Sequence, residues 1–276
     1  MSLTTFTTAR PSYEDQSCAY KIYESLRIAI TDILPTNITC ILPNALSWGF
    51  RTLYAGTVKY EAVTAAATTK TASLFSHTSE KLNTATSAVL LLHGDHSHPL
   101  TMLHLADIAE AQGRAVFSVH LPYDDNNPEE HHLLLKNCID RIDQMFTQRG
   151  GRLSNLLLAG HSRGALEAAN EAFVKNNRKV NGVIAIAGRF QVIKPSLRPC
   201  RESLESSVNA VWEKLRNLNR DLRVPVYQMA AAYDWCIDPE ASIVCHDYPH
   251  LSVEASHLSI INHPDTLRQF KAWVAV

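Results

Sequence analysis

The sequence has no long apolar segment, no strong net charge and no paired cysteine motif. None of its apolar runs reaches the roughly 18–20 residues that a membrane-spanning helix needs. The formal net charge is −1 at pH 7, so no overall field favours nucleic acid or an anionic membrane surface. The six cysteines form no CxxC pair, and in a chain of 276 residues this scatter indicates reduced thiols. These absences argue against nucleic-acid-binding proteins, membrane proteins and disulfide-rich secreted domains.

The beginning of the chain lacks the pattern of a secretory signal. Residues 1–16 contain no basic segment followed by an apolar core. Hydrophobic residues make up 46% of the chain and charged residues 19%, a balance that can build a sizeable core. We therefore expect a cytoplasmic globular protein, with non-classical export left open.

From about residue 86 onward, short apolar runs alternate with helical stretches, as is typical of a parallel sheet covered by helices. For example, residues 129–148 have apolar side chains three and four positions apart, which is the pattern of one helix face, and this pattern ends before Gly150. A last helix is predicted to begin near Pro264. The pattern predicts an α/β fold with a mostly parallel sheet and helices on both faces. Its six predicted strands lie near residues 88–92, 115–119, 156–159, 183–187, 224–229 and 251–254.

Two segments do not follow this alternation. Residues 191–223 are longer than an ordinary connection and contain a helix with an apolar stripe that includes Trp212, so we expect a small helical cap. Residues 1–85 contain one amphipathic helix ended by Pro35 and an Ala- and Thr-rich stretch with no clear strand pattern. We expect residues 1–85 to form a helical extension packed on a domain of residues 86–276.

The sharpest motif is Gly160-His161-Ser162-Arg163-Gly164, which follows a predicted strand and opens a predicted helix. A serine is a weak nucleophile unless its hydroxyl is exposed, has a base beside it and faces donors for the developing oxyanion. A sharp strand-to-helix turn exposes the serine, and glycines two residues before and after it allow the close backbone approach. A glycine-flanked loop serine without chemistry is the alternative, but the flanking strand and helix are the context that the motif requires.

With this motif in place, the order of elements from about residue 88 to the C-terminus resembles the α/β-hydrolase fold of serine hydrolases such as esterases and lipases. In that family the acid of the triad follows the strand after the cap, and the histidine precedes the final helix. The resemblance implies Ser162 as nucleophile, Asp234 as acid and His257 as base. Asp238 precedes a proline and could instead begin a short helix. The rivals that stay open are Asp238 and Glu240 for the acid, and His246, His250 and His263 for the base.

The resemblance extends to the turn after the first core strand. The run His93-Gly94-Asp95 is similar to the family's His-Gly oxyanion loop, which implies that the backbone N–H groups of Asp95 and Arg163 bind the oxyanion. An aspartate here departs from the family pattern, and its carboxylate must point away from the oxyanion to avoid opposing its charge. Candidate residues for a substrate pocket are His93, His96, His161, Arg189 and Trp212.

Two groups of side chains could suggest other ligands. Four histidines follow the first core strand, but they lack an HExxH pattern, and we expect neither a metal nor a cofactor. Arg189 and three cations after it could meet an acidic substrate, although such a run is more often a solvated surface. The histidines are His93, His96, His98 and His104, and the cations are Arg189, Lys194, Arg198 and Arg201.

The implied activity is cleavage of a small-molecule carboxylic ester or thioester through an acyl-enzyme formed on Ser162. The fold also supports amidases and peptidases, so the acyl substrate stays open. A metal-dependent hydrolase also stays open, as does a catalytically relict protein that acts in binding or as a scaffold. In the relict protein, residues 1–85 would carry the contact with a protein partner. No nucleic-acid partner is expected.

Overall fold

The computed structural model describes residues 59–66, 68, 70–77, 84–95, 97–123, 127–191, 208–214, 224–234, 236–243 and 248–276. The helix predicted near residues 19–33, most of the predicted cap, His96 and His246 lie outside these described residues.

One sheet of eight strands organises the described chain. The strand order is β1-β2-β4-β3-β5-β6-β7-β8, with β2 antiparallel to β4 and parallel neighbours from β4 to β8. The sheet is thus mostly parallel, as predicted, but it has eight strands rather than about six. The strands are β1 (Lys59–Thr64), β2 (Thr71–Ser76), β3 (Ser87–Leu92), β4 (Ala115–His120), β5 (Asn155–His161), β6 (Val180–Ile186), β7 (Val226–Ala231) and β8 (His250–Val253).

The two additional strands lie in the segment in which the sequence shows no clear strand pattern. In β2, Ala72, Leu74 and Ser76 are buried while the two residues between them are partly exposed, which is the alternation of a half-buried strand. The boundary at residue 85 stays a prediction, although the described sheet already begins at Lys59.

Helices cover the sheet and begin at recognisable signals. In α2, Asn127 caps the helix by accepting a hydrogen bond from the Glu130 N–H, and a proline occupies the first turn. Gly150 follows the end of α2 with φ +74°, a backbone conformation that favours glycine. The helices are α1 (Leu103–Ala111), α2 (Pro128–Gln148), α3 (Arg163–Ala169), α4 (208–214) and α5 (Pro264–Val274). Shorter helical turns are Pro99–Met102, Asn170–Val174, Pro239–Ser242 and Ser259–Asn262.

Two apolar clusters lie on opposite faces of the sheet. Alternate residues of β3 divide between them, with Leu90 in the first cluster and Leu91 in the second. The first cluster takes buried side chains from α2, α3 and α4, and the second takes them from α1 and α5. Because β3 is buried on both faces, it reads in sequence as a continuous apolar run.

The parallel strands place their carboxyl ends along one edge of the sheet, where open α/β sheets carry their sites. The turns after β3, β5, β7 and β8 contain Asp95, Ser162, Asp234 and His257 respectively. These residues are far apart in sequence, and the parallel register brings them to the same edge. No helix among the described residues is long and apolar enough to cross a membrane.

Candidate active site

Ser162 occupies a sharp turn between β5 and α3. Its backbone has φ 55° and ψ −119°, a region that non-glycine residues rarely adopt. The Ser162 N–H donates to the carbonyl of Ile186 on the neighbouring strand at 2.9 Å, which helps to hold the turn. The turn therefore separates the serine from both regular elements and directs its hydroxyl toward the carboxyl edge of the sheet.

Gly160 and Gly164 leave no space for a side chain. A Cβ atom on Gly160 would lie 2.2 Å from the carbonyl oxygen of Gly164, and one on Gly164 would lie 2.3 Å from the carbonyl oxygen of Leu92. Real Cβ atoms essentially never approach backbone atoms this closely. The two glycines thus allow α3 to fold back against β5 and β3, as the spacing of the motif predicts.

A chain of hydrogen bonds joins Ser162, His257 and Asp234. His257 Nε2 lies 2.9 Å from Ser162 Oγ, and His257 Nδ1 lies 2.6 Å from Asp234 Oδ2. The imidazole side chain is 6% exposed and the carboxylate 0% exposed. When Nδ1–H donates to the carboxylate, Nε2 has a lone pair that accepts the serine hydroxyl proton.

The acid loop gives its two aspartates different contacts. The other carboxylate oxygen of Asp234 accepts the backbone N–H groups of Cys236 at 2.8 Å and Ile237 at 2.9 Å, which fixes the carboxylate facing the imidazole. Asp238 instead accepts the Glu240 N–H and begins the helical turn Pro239–Ser242. Glu240 is exposed in that turn. The structure therefore brings Asp234, and not its two rivals, to His257.

Two of the rival histidines have other positions. His250 is exposed on β8, and the His263 side chain accepts the Asp265 N–H at the start of α5. His161 lies beside His257, with its Nε2 donating to the His257 carbonyl at 2.8 Å and the ring centroids 4.9 Å apart. His161 is buried, and its contact with His257 supports the imidazole, while its place in a substrate pocket stays a prediction.

The loop after β3 packs directly against the nucleophile. A Cβ on Gly94 would lie 3.2 Å from Ser162 Cβ and 3.0 Å from His161 Nδ1. The Asp95 carboxylate lies 3.7 Å from the Arg163 guanidinium. The carboxylate is thus directed toward a cation. The two residues expected to donate backbone N–H groups to the oxyanion are neighbours in space.

His93 is the first residue of this loop and is buried. Its Nδ1–H donates to the Gly94 carbonyl at 2.7 Å, and its ring stacks on His120 with centroids 5.0 Å apart. Burial, followed by the nearby His120, lowers the pKa of His93 well below its usual value. The buried imidazole is therefore uncharged at neutral pH, and its hydrogen bond to Gly94 helps to hold the loop.

The remaining pocket candidates are spread over the described chain. Arg189 follows β6 and is partly exposed. Trp212 lies on α4 and packs against the first apolar cluster, in which Val208 and Val211 are buried. In the part of the chain that the structure describes, no three His, Cys, Asp or Glu side chains are arranged to hold a metal ion.

The side chain of Arg163 has contacts that the motif alone does not predict, since the motif gives a role only to its backbone N–H. This side chain is buried and contacts Tyr123, His131 and Glu167 in addition to Asp95. In the sequence, the contact between Arg163 and Glu167 is indicated by their spacing of four residues on a predicted helix, which makes their side chains neighbours.

Comparison with known proteins adds information at the level of the fold. No family model matches the sequence, and no curated protein matches it. Among solved structures, a hyperthermophilic esterase from Pyrobaculum calidifontis has a TM-score of 0.63 at 14% identity, covering 91% of this chain and 97% of its own. An esterase from Pyrococcus furiosus has a TM-score of 0.57 at 16% identity, covering 79% of this chain and 87% of its own. The thioesterase domain of the curacin biosynthetic pathway has a TM-score of 0.55 at 14% identity, with 79% and 99% covered. The described chain has the α/β-hydrolase fold that these proteins share.

Proposed function

We propose that this protein of α/β-hydrolase fold is a serine hydrolase that cleaves a small-molecule carboxylic ester or thioester. The observation that carries the proposal is the hydrogen-bonded series Ser162–His257–Asp234, with the serine on a strained turn at the carboxyl edge of the sheet. A strained backbone conformation at a residue other than glycine raises the free energy of the folded state, and such strain clusters at functional sites. A catalytically relict protein that acts only in binding would need neither the strained turn nor the hydrogen-bonded residues Ser162, His257 and Asp234.

The geometry supports the following reaction. Ser162 Oγ attacks the carbonyl carbon of the substrate while His257 Nε2 accepts the hydroxyl proton, and Asp234 stabilises the imidazolium that forms. The carbonyl oxygen becomes an oxyanion that accepts the backbone N–H groups of Arg163 and Asp95. The C–O or C–S bond then breaks, and His257 gives its proton to the leaving alcohol or thiol.

The second half of the reaction uses the same groups. Water attacks the carbonyl of the acyl-enzyme while His257 accepts one of its protons. Collapse of the second tetrahedral intermediate breaks the bond to Ser162 Oγ, which recovers its proton from His257, and the carboxylic acid leaves. No step draws on a group from outside the chain other than water.

Similarity to two esterases and a thioesterase domain supports this choice within the α/β-hydrolase fold. One fold carries many activities, so the choice rests on the site and takes only support from the likeness. Ester and thioester substrates require the same nucleophile and the same oxyanion donors. The rates measured with a matched ester and thioester therefore show which of the two substrate classes the protein prefers.

The test combines a fluorophosphonate label with a series of p-nitrophenyl esters of increasing acyl length and one matched thioester. We expect the wild-type protein to be labelled and to release p-nitrophenol. Ser162→Ala should abolish labelling and lower kcat on the order of 10³-fold or more, down to the rate left by binding and the oxyanion donors. Ser252→Ala, which changes an exposed serine on β8, is the matched control and should behave as wild type. Labelling that persists in Ser162→Ala would show that another serine reacts and would contradict the proposal.

A further inference from the structure

Arg163 has a buried charge beside the site that takes no part in the reaction steps above. Its side chain is 4% exposed although a guanidinium is a charged group. A charge is removed from water at a large cost in free energy unless partners compensate it. The identity of these partners therefore indicates what the arginine does.

Three described residues, His131, Glu167 and Tyr123, contact the guanidinium. Nη2 donates to His131 Nδ1 at 3.0 Å, and the Glu167 carboxylate lies 3.7 Å from Nε. The guanidinium carbon lies 4.5 Å from the centre of the Tyr123 ring, and Nη1 donates to the Tyr123 carbonyl at 3.4 Å. His131 Nε2 donates to the carbonyl of Pro122 at 3.1 Å, which leaves Nδ1 as the acceptor that the arginine needs.

A further partner among the described residues is Asp95. The carboxylate of Asp95, in the loop after β3, lies 3.7 Å from Nη1 and is 40% exposed. Arg163 and Asp95 are also the two residues whose backbone N–H groups serve as oxyanion donors in the proposed reaction. Their side chains thus join the two donor segments, the start of α3 and the loop that packs on Ser162 through Gly94.

We infer that Arg163 is a positioning residue whose ion pair with Asp95 sets the separation of the two oxyanion donors. The inference rests on the proposed function, because it concerns the same site. Glu167, His131 and Tyr123 fix the guanidinium, and the guanidinium in turn fixes the loop through Asp95. Two donors must lie about 2.7–3.1 Å from the developing oxyanion, so a small shift of the loop weakens one of them in the transition state.

The sign of the effect separates positioning from a through-space effect of charge. Asp95→Asn removes a negative charge close to the position at which negative charge develops. If only the field of this carboxylate acted on the reaction, the variant would be faster than wild type. If the carboxylate positions the loop, the variant is slower, because the amide does not form the ion pair.

The experiment measures kcat and KM with p-nitrophenyl acetate, the rate constant of fluorophosphonate labelling, and the melting temperature. Removing a whole oxyanion donor typically costs on the order of 10²–10³-fold, so we expect displacement of one donor to lower kcat roughly tenfold. We expect the labelling rate to fall by the same factor, KM to change less than about twofold, and the melting temperature to change little, since the carboxylate is partly exposed. The matched control is Glu61→Gln, which removes the ion pair of a 45% exposed carboxylate with Arg141 at 2.9 Å. This control should leave all four quantities unchanged.

A second variant tests the link itself. Arg163→Lys keeps the charge but loses the planar fork that reaches several partners at once. We expect it to lower kcat, and we expect Asp95→Asn to cause no further loss in the Arg163→Lys background. Losses that multiply, or a kcat in Asp95→Asn equal to or above that of wild type, would overturn the inference while leaving the proposed function intact. Failure of the proposed function is seen separately, as wild-type protein that the fluorophosphonate does not label at Ser162. If Arg163→Lys does not fold, the direction of the Asp95→Asn effect decides alone.

Discussion

At the scale of single residues, two aspartates four positions apart compete for one imidazole. In the sequence, the resemblance to a family loop favours Asp234, and the proline after Asp238 suggests a helix start there, but neither argument gives a distance to the histidine. In the structure Asp234 contacts His257 at 2.6 Å, whereas Asp238 holds the N–H of Glu240. The two side chains have the same chemistry, so the backbone path of the loop decides their roles.

A pair of isosteric substitutions checks this difference. Asp234→Asn should lower kcat on the order of 10⁴-fold, because an amide favours the wrong imidazole tautomer and does not stabilise the imidazolium. Asp238→Asn should change kcat and the melting temperature little, since asparagine caps a helix about as well as aspartate. Steady-state kinetics with p-nitrophenyl acetate measures both. A large loss in Asp238→Asn together with a small one in Asp234→Asn would move the acid to Asp238.

Close contact at Gly164 leads to a second expectation at this scale. A Cβ at this position would meet the Leu92 carbonyl at 2.3 Å, and backbone atoms cannot move aside as a flexible side chain can. Gly164→Ala should therefore destabilise the fold by about 1–3 kcal/mol or more and should displace Ser162. Gly151→Ala, whose new Cβ would have its nearest contact at 3.5 Å, is the control. Equal melting temperatures for the two variants would show that the start of α3 can shift freely.

The residues of the site were predictable from sequence to different extents. Ser162, Asp234 and His257 lie in motifs whose order along the chain is informative, so their positions could be proposed in advance. The contacts of Arg163 with Asp95, Tyr123 and His131 could not, because they join segments that are distant in sequence and meet only in the folded sheet. A charged residue after the serine is as consistent with an exposed side chain as with a buried one.

At the scale of elements, burial on both faces determines which strands could be recognised. Strands β3 to β7 pass through the middle of the sheet and are rich in buried apolar residues, which the sequence shows as short apolar runs. Strands β1 and β2 lie at the end of the strand order, and β2 is buried on alternate residues only. Strand β2 is stabilised by its pairing with β4, which is far along the chain. The local sequence of β2 does not indicate this partner.

The helix α4 gives a prediction at this scale, because two explanations of its apolar stripe differ in their kinetics. Val208 and Val211 are buried in the first apolar cluster, and Trp212 packs against the same cluster. We therefore expect Trp212→Ala to lower stability by roughly 2 kcal/mol, below the 3–5 kcal/mol of a fully buried tryptophan, and to reduce kcat/KM equally for all acyl lengths. Thermal unfolding and the p-nitrophenyl ester series measure these effects. If the ratio of kcat/KM between short and long esters shifted by roughly 10- to 200-fold, the side chain would instead line an acyl pocket.

At the scale of the whole molecule, the buried His93 in a group of neighbouring histidines couples stability to pH. The ring of His93 stacks on His120, which lies 5.4 Å from the ring of His98, and the Arg163 charge is nearby. Burial and these neighbours lower the pKa of His93 well below 6.5 in the folded chain. Between the lowered pKa and 6.5 the unfolded chain binds a proton that the folded chain does not bind. The contribution of uncharged His93 to the free energy of unfolding is therefore complete above about pH 6.5 and is lost progressively as the pH falls.

The expected size of this effect is up to about 1.4 kcal/mol for each pH unit below 6.5. Urea unfolding at pH 7.5, 6.5 and 5.5 should show a falling free energy of unfolding in wild type. The fall should be smaller in His93→Gln, whose side chain does not titrate, and unchanged in His250→Gln, which replaces an exposed histidine on β8. An identical pH dependence in wild type and His93→Gln would contradict the assignment of this effect to His93.

The position of β8 has a consequence for heat resistance. This strand has four residues, is the last in the order of the described sheet, and leads within a few residues to His257. A short strand at the end of a sheet can open locally, and this opening costs less free energy than the global unfolding that exposes a central strand. The amides of Leu251–Val253 should thus exchange with deuterium faster than those of β5. On warming, the proposed hydrolysis of p-nitrophenyl acetate should be lost at a lower temperature than the near-UV circular-dichroism signal of the packed core. The working temperature of the protein would then be set by the fraying of one peripheral strand, while the apolar layers beneath it are still intact.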